Sequence, residues 1–71
     1  MNYNYNKLKG RIKEQFNTQE EFAKALGIGA STLNLKLNNK TEWSQDEMIK
    51  ALKLLNVNED QIESYFFTHN I

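Results

Sequence analysis

The residue types best suited to specific recognition follow Gly29 at helical spacing, on the side of a predicted helix that faces away from Leu33. An amide such as that of Asn34 can make two hydrogen bonds to the edge of an adenine, and the Ser31 hydroxyl can bond to several base edges. Apolar groups on the same surface can contact the methyl group of a thymine. The residues predicted to lie on this outer surface, where small and amide side chains suit a close approach to base edges, are Ala30, Ser31, Asn34, Leu35 and Asn38.

Basic side chains near this segment offer a second chemistry, which is pairing with phosphates. Lys36 lies inside the predicted helix and Lys40 follows it, so both are predicted to contact a nucleic-acid backbone. Contacts of this kind make affinity fall steeply with salt. A further basic cluster occupies the first predicted helix, where two interpretations stay open: a phosphate-contacting patch or a solvated face. That cluster consists of Lys7, Lys9, Arg11 and Lys13.

A helix, a turn centred on Gly27 and a second helix position these side chains, over about residues 18–38. Ala23 is small enough for the point at which two helices cross, and Gly27 can adopt the left-handed conformation through which a chain leaves a helix. The pattern therefore predicts a helix-turn-helix, whose exposed second helix has the shape to enter a major groove. The apolar residues predicted to hold this unit to the core are Phe22, Leu26, Ile28, Leu33 and Leu37.

Five helices and no strands account for the whole sequence, so the predicted fold class is an all-α bundle of about five short helices. Three helix starts are marked by an N-cap residue followed three positions later by a side chain that can reach back. These pairs are Thr18 with Glu21, Ser44 with Glu47, and Asn58 with Gln61. Outside the motif, helices are predicted from Asn4 or Asn6 to Phe16, from Gln45 to Leu55, and from Glu59 to Phe66 or Phe67, with a frayed tail over residues 68–71.

Length and composition exclude several classes of protein from the prediction. Seventy-one residues make one predicted domain, 1–71, with no cysteine. A single histidine in the tail, His69, and no paired carboxylates leave nothing from which to build an active site or a metal centre. We therefore expect no enzyme, no cofactor and no small-molecule ligand. No apolar run approaches the length of a membrane span and the N-terminus is too polar for a signal peptide, so we expect a cytoplasmic protein.

Charge is unevenly distributed although the net charge is zero. Residues 1–40 carry seven basic and three acidic side chains, whereas residues 41–71 carry two basic and six acidic ones. An asymmetry of this kind predicts a charged partner for the basic half.

The motif resembles that of the Cro/C1-type helix-turn-helix family, the DNA-binding domains of phage repressors and their relatives. The resemblance rests on the spacing Gln-x3-Ala-x3-Gly-x5-Leu, which begins at Gln19 and ends at Leu33, and on Asn38-Asn39-Lys40 behind it. It implies a lambda-repressor-like fold, in which Gln19 and Asn38 contact DNA phosphates. The residues that the resemblance predicts to face the major groove and read bases are Ala30, Ser31, Asn34 and Leu35. Short regulators from phages and prophages of Gram-positive bacteria look similar, which implies a bacterial host cell.

Two departures from the family pattern affect the expected operator. Gly29 stands where a capping Ser or Thr is more common, and the recognition helix has no exposed arginine. A guanine contact would then fall to Lys36, so an A·T-leaning operator is expected.

Two functions are compatible with these residues. The first is a sequence-specific transcriptional regulator that reads operator DNA, a bare DNA-binding domain like Cro. The alternative is an antirepressor or modulator that binds a partner phage repressor through its helix-turn-helix surface. The zero net charge, the missing arginine and the apolar Leu35 fit the alternative. The helix-turn-helix motif and the uneven charge make the DNA-binding regulator the leading prediction.

An aromatic cluster near the C-terminus leaves a further choice open. Helical geometry cannot place all three side chains in one core face, so one or two are predicted to be exposed or to wrap back onto the core. If exposed, they predict a surface for a homodimer or a partner, and a homodimer would set two recognition helices about 34 Å apart on a pseudo-palindrome. Trp43 is predicted to pack over the edge of the core. The cluster consists of Tyr65, Phe66 and Phe67.

Overall fold

The computed structural model describes residues 2–69, and within them the backbone forms five α-helices and one 3-10 turn. The predicted all-α class is confirmed, and the described residues form no strand beyond a single antiparallel bridge between Tyr3 and His69. No helix in this part of the chain has the length and apolar character needed to span a membrane. The elements are α1 (Asn6–Phe16), α2 (Gln19–Leu26), α3 (Ala30–Leu37), α4 (Gln45–Leu54), a 3-10 turn (Glu59–Gln61) and α5 (Ile62–Phe66).

Two of the three predicted N-caps are present. The Thr18 hydroxyl accepts a hydrogen bond from the Glu21 N–H at 3.1 Å. At α4, the Glu47 N–H donates to the Ser44 hydroxyl at 3.1 Å and the Ser44 N–H donates to the Glu47 carboxylate at 2.8 Å, which completes a capping box.

The predicted cap of Asn58 on the last helix is wrong. The chain begins there with the 3-10 turn, and the Gln61 N–H donates to the Asn58 backbone carbonyl at 3.0 Å. The i→i+3 bond of a 3-10 turn satisfies the donor that a side-chain cap would otherwise take up.

The core lies between α1, α2, α4 and α5, with α3 packed on its edge by Leu33 and Leu37. Trp43 is buried, as predicted, and its ring meets Phe66 edge-on with the centroids 5.0 Å apart. The N-terminal Tyr5 is also buried and contacts Trp43. The side chains that are almost completely buried are Leu8, Ile12, Phe22, Leu33, Leu52, Leu55 and Phe66.

The two chain ends are tied together, so the predicted frayed tail is wrong for Thr68 and His69. The Asn4 N–H donates to the Thr68 carbonyl at 2.6 Å, and the Thr68 hydroxyl donates to the Ser64 carbonyl at 2.8 Å. His69 is exposed, and its ring lies 5.2 Å from that of Tyr3. The remainder of the predicted tail, residues 70–71, lies outside the described residues.

Candidate functional site

The helix-turn-helix is built as the sequence predicts. Gly27 ends α2 with a φ of 87°, a value that a side chain would strain. The N–H groups of Gly27 and Ile28 both donate to the Ala23 carbonyl, at 2.9 and 3.0 Å. Ala23 is itself buried, which allows α2 and α3 to approach closely. The turn therefore sets the direction of α3 and the surface that it exposes.

The outer face of α3 is exposed, as predicted, and forms what we call the recognition face: Ala30, Ser31, Asn34 and Leu35. Leu35 is 43% exposed, and with Phe67 it is one of two exposed large apolar side chains among the described residues. An exposed apolar side chain beside hydroxyl and amide groups is typical of contact surfaces.

The prediction that Lys36 contacts phosphate is wrong for this structure, and with it the prediction that Lys36 could reach a guanine. The Lys36 side chain is only 9% exposed. Its ammonium lies 2.8 Å from the Glu42 carbonyl and 2.9 Å from the Glu47 carboxylate, above the ring of Trp43. The cause is its position, because Lys36 lies on the same stripe of α3 as Leu33 and runs its aliphatic stem into the core edge.

The electrostatics of this ion pair favour the charged carboxylate. Partial burial alone would raise the pKa of Glu47. Hydrogen bonds from the Ser44 backbone N–H and from Lys36, together with the lysine charge, outweigh burial and hold the pKa of Glu47 below its ordinary value. The carboxylate is thus ionised near neutral pH and balances the lysine.

The other predicted phosphate-contacting residues, Gln19, Asn38 and Lys40, are all exposed, but their surroundings are mixed. Gln19 opens α2 beside two exposed carboxylates, Glu20 and Glu21. The Asn38 amide donates to the Asn34 carbonyl at 2.8 Å, so part of its hydrogen-bonding capacity is used within α3. The surface around the recognition face therefore carries charges of both signs.

The basic cluster on α1 does not act as one patch. Arg11 donates through Nε to the Leu55 carbonyl at 2.9 Å, at the C-terminal end of α4, and therefore has a structural role. The Lys7 ammonium lies 4.8 Å from the centre of the Tyr65 ring, a cation–π contact. Lys13 is exposed and Lys9 is partly buried. Of the two open interpretations, a uniform phosphate-contacting patch does not fit this arrangement.

One residue of the aromatic cluster is exposed, within the one or two that the sequence predicts, and the other two are buried. Tyr65 and Phe66 are buried, at 7% and 1% exposure. Phe67 is 39% exposed and packs edge-on against Tyr3, with the ring centroids 5.8 Å apart. Since α5 ends at Phe66, the next side chain leaves the helical arrangement and does not follow its neighbours inward.

Comparison with known proteins gives the family. The sequence profile of the family described as "protein of unknown function (DUF739)" matches residues 1–69. The chain belongs to the DUF739 family. No curated protein matches it.

The DUF739 protein is also similar to a solved structure, the solution structure of the modulator of repression (MOR) of the temperate bacteriophage TP901-1 from Lactococcus lactis. The two sequences are 45% identical, and the TM-score is 0.82. The match covers 94% of this chain and 90% of the phage protein. The similarity thus extends over nearly the whole of both chains, so a phage regulatory protein has the fold described above.

Two contacts in the DUF739 protein have no signal in the sequence. Lys36 and Glu47 are separated by a loop and lie on different helices, so their spacing follows no helical rule. Asn39 has a φ of 62° and its amide pairs with both the N–H and the carbonyl of Tyr3, each at 2.9 Å. The local signal at this position is the Asn38-Asn39 pair, because asparagine favours turns. It predicts a bend after α3 but not the contact with Tyr3.

The exposed groups of the site are ones that can bind a partner. No cluster of His, Cys, Asp or Glu among the described residues could hold a metal ion. The site consists of an exposed helix face with one large apolar side chain, hydroxyl and amide groups beside it, and carboxylates at the start of α2.

Proposed function

We propose that this protein modulates repression in a phage or prophage by binding a partner repressor through its helix-turn-helix surface, inside the bacterial host cell. The proposal assigns it a binding role and no catalytic step. Its main support is the similarity to the modulator of repression of phage TP901-1, at 45% identity over 94% of this chain. The carboxylates at the start of α2 and the apolar side chain of the recognition face agree with a protein partner.

Charge supports this choice of partner. In a helix-turn-helix that binds DNA, the start of the first motif helix approaches the phosphate backbone, where N–H groups and cations are favourable. Here that end carries the exposed carboxylates Glu20 and Glu21, which phosphates would repel. A repressor must itself carry a basic face in order to bind phosphates, and carboxylates complement such a face. The DNA-binding face of a repressor is therefore the partner surface that fits.

The apolar side chain supports it as well. Leu35 is 43% exposed and is the large apolar side chain of the recognition face. Protein interfaces commonly place an apolar anchor at the centre and hydrogen-bonding groups at the rim. Ser31 and Asn34 provide such groups beside it. Leu35 is thus the side chain that we expect to contribute most to the affinity.

A second candidate function, reading operator DNA through the same face, is favoured by one observation. The predicted base-reading residues are all exposed on α3, with Gln19 and Lys40 also exposed. This is the arrangement that the Cro/C1-type resemblance implies. The two functions differ in their dependence on DNA sequence and on salt. Operator binding weakens steeply with salt, whereas the apolar contact of Leu35 would add a part of repressor binding that salt does not screen.

Calorimetric titration of the protein with the repressor of the same phage or prophage tests the proposal. We expect binding that the Leu35→Ser variant weakens about tenfold to a hundredfold. Phe67→Ser is the matched control, because Phe67 is comparably exposed but lies outside α3, and it should leave the affinity unchanged. Parallel titrations with DNA from upstream of the gene, at two salt concentrations, separate the candidates. Selective, salt-sensitive DNA binding without repressor binding would establish the second function instead.

A further inference from the structure

Lys36, Glu47 and the carbonyl of Glu42 form a small arrangement that we call the clasp. The Lys36 ammonium donates to the Glu42 carbonyl at 2.8 Å and lies 2.9 Å from Oε1 of Glu47. The same Oε1 accepts the Ser44 N–H at 2.8 Å. The carboxylate is therefore held by the first turn of α4 whether or not the lysine is present.

The clasp takes up the only cation of α3. The helix has the sequence Ala-Ser-Thr-Leu-Asn-Leu-Lys-Leu, with a single charged side chain. Lys36 follows Thr32 by one helical turn, and Thr32 is exposed beside the recognition face. A lysine stem is long enough to carry its ammonium from the edge of the core out to solvent at this flank.

Glu47 is what makes the inward position of Lys36 favourable. A buried charge without a partner is strongly disfavoured. The N-terminal end of α4 also carries the positive end of the helix dipole, which repels an ammonium unless a carboxylate lies between them. Without the charge of Glu47, the Lys36 side chain should therefore turn out to solvent.

We propose that Glu47 is a specificity-determining residue: by retaining Lys36 in the clasp, it denies α3 a free cation and so disfavours nucleic acid relative to a protein partner. The inference rests on the proposed function for the identity of the favoured partner. The discrimination against phosphates is a property of the clasp itself. Such selection works by withholding an attractive contact from the wrong partner.

Glu47→Gln tests this with little other disturbance, because glutamine also serves at the third position of a capping box. Binding of the full-length variant to a random-sequence DNA duplex is measured by fluorescence anisotropy over a range of salt concentrations. One new phosphate contact should raise the affinity about threefold to tenfold at low salt and steepen the salt dependence by about one unit of log K against log salt.

Two controls separate the release of Lys36 from the change in net charge. Glu63→Gln makes the same change in charge at an exposed position on α5 and should give a smaller gain, without the steeper slope. Lys36→Met with Glu47→Gln removes the cation as well, and should bind DNA no better than the unmodified protein. A gain in the double variant equal to that of Glu47→Gln would overturn the proposal.

A second variant covers the case in which Glu47→Gln does not fold, as judged by circular dichroism. Thr32→Lys adds a free cation to the same flank of α3 and leaves the clasp intact, so it should give the same gain and the same change in slope. No gain in either folded variant would overturn the proposal. Repressor binding by the unmodified protein is measured separately, so a failure of the proposed function and a failure of the clasp give different results.

Discussion

The two ends of α4 are each held by a basic side chain, but in different ways. At the C-terminal end, Arg11 donates directly to the carbonyls of Leu55 and Asn56, at 2.9 and 3.4 Å. At the N-terminal end, Lys36 contacts α4 through the carboxylate of Glu47. The helix dipole explains the difference, because its negative end attracts a cation and its positive end repels one. Arg11 therefore contacts the end of α4 without an intervening side chain, whereas the contact of Lys36 with α4 depends on the carboxylate of Glu47.

Removing the charge at the N-terminal end should have the largest effect on stability. Glu47→Gln removes the counter-charge that holds Lys36 in the clasp. The lysine then turns out to solvent and loses its hydrogen bond and the packing of its stem, so the free energy of unfolding is expected to fall by about 1–3 kcal/mol. Lys36→Met removes the cation and keeps the apolar stem, so its cost is expected to be under about 1 kcal/mol. Urea denaturation measures both. Equal losses in the two variants would contradict the dependence of the lysine on the carboxylate.

Loss of Arg11 at the C-terminal end of α4 should lower the free energy of unfolding by a somewhat smaller amount. Arg11→Met keeps most of the side-chain volume but removes the hydrogen bond to the Leu55 carbonyl, with an expected cost of about 1–2 kcal/mol. Lys13→Met is the matched control on the same helix, because Lys13 is exposed, and it should change stability by less than about 0.5 kcal/mol. Thermal denaturation distinguishes the two, and similar losses would assign no special role to Arg11.

Removing the capping box of α4 should reduce stability by a smaller amount. The predicted cap at Asn58, which makes no capping hydrogen bond, offers a direct comparison. Ser44→Ala removes an observed cap and is expected to cost about 1 kcal/mol. Asn58→Ala removes a side chain that makes no capping hydrogen bond and should cost less than about 0.5 kcal/mol. Denaturant unfolding of both variants checks this order. A larger loss for Asn58→Ala would indicate that its side chain caps the helix in solution.

The pH dependence of stability is the smallest expected effect, and it concerns only the N-terminal end of α4. Because the pKa of Glu47 is lowered in the folded protein, its contribution to stability is present above its ordinary value of 4.5 and is lost as the pH falls through the folded pKa. The stability difference between the unmodified protein and Glu47→Gln should therefore shrink on acidification. Thermal denaturation from pH 7 downward measures it, and a difference independent of pH would contradict the ion pair.

Most of the fold could be predicted because its signals are local. Helix starts at Thr18 and Ser44 follow from N-cap chemistry, and the turn at Gly27 from the need for a positive φ. The exposure of the recognition face follows from the position of Leu33 and Leu37 on the opposite side of α3. Each of these features depends on residues within one or two helical turns.

What could not be predicted depends on contacts between distant segments. The inward position of Lys36 requires Glu47, which lies beyond the loop on α4. The exposure of Phe67 depends on where α5 ends, and the hydrogen bond between Asn4 and Thr68 joins two segments far apart in the sequence. A periodic pattern assigns a face to each residue, but it does not say which distant side chain will meet it.

The central claim, that α3 presents a surface for a protein partner, is tested most directly by a nuclear magnetic resonance titration. Labelled protein is titrated with the repressor, and separately with duplex DNA, while its amide resonances are followed. The account predicts that the repressor shifts the resonances of Ser31, Asn34 and Leu35, and that DNA shifts them weakly. Strong shifts of these residues with DNA and none with the repressor would contradict it.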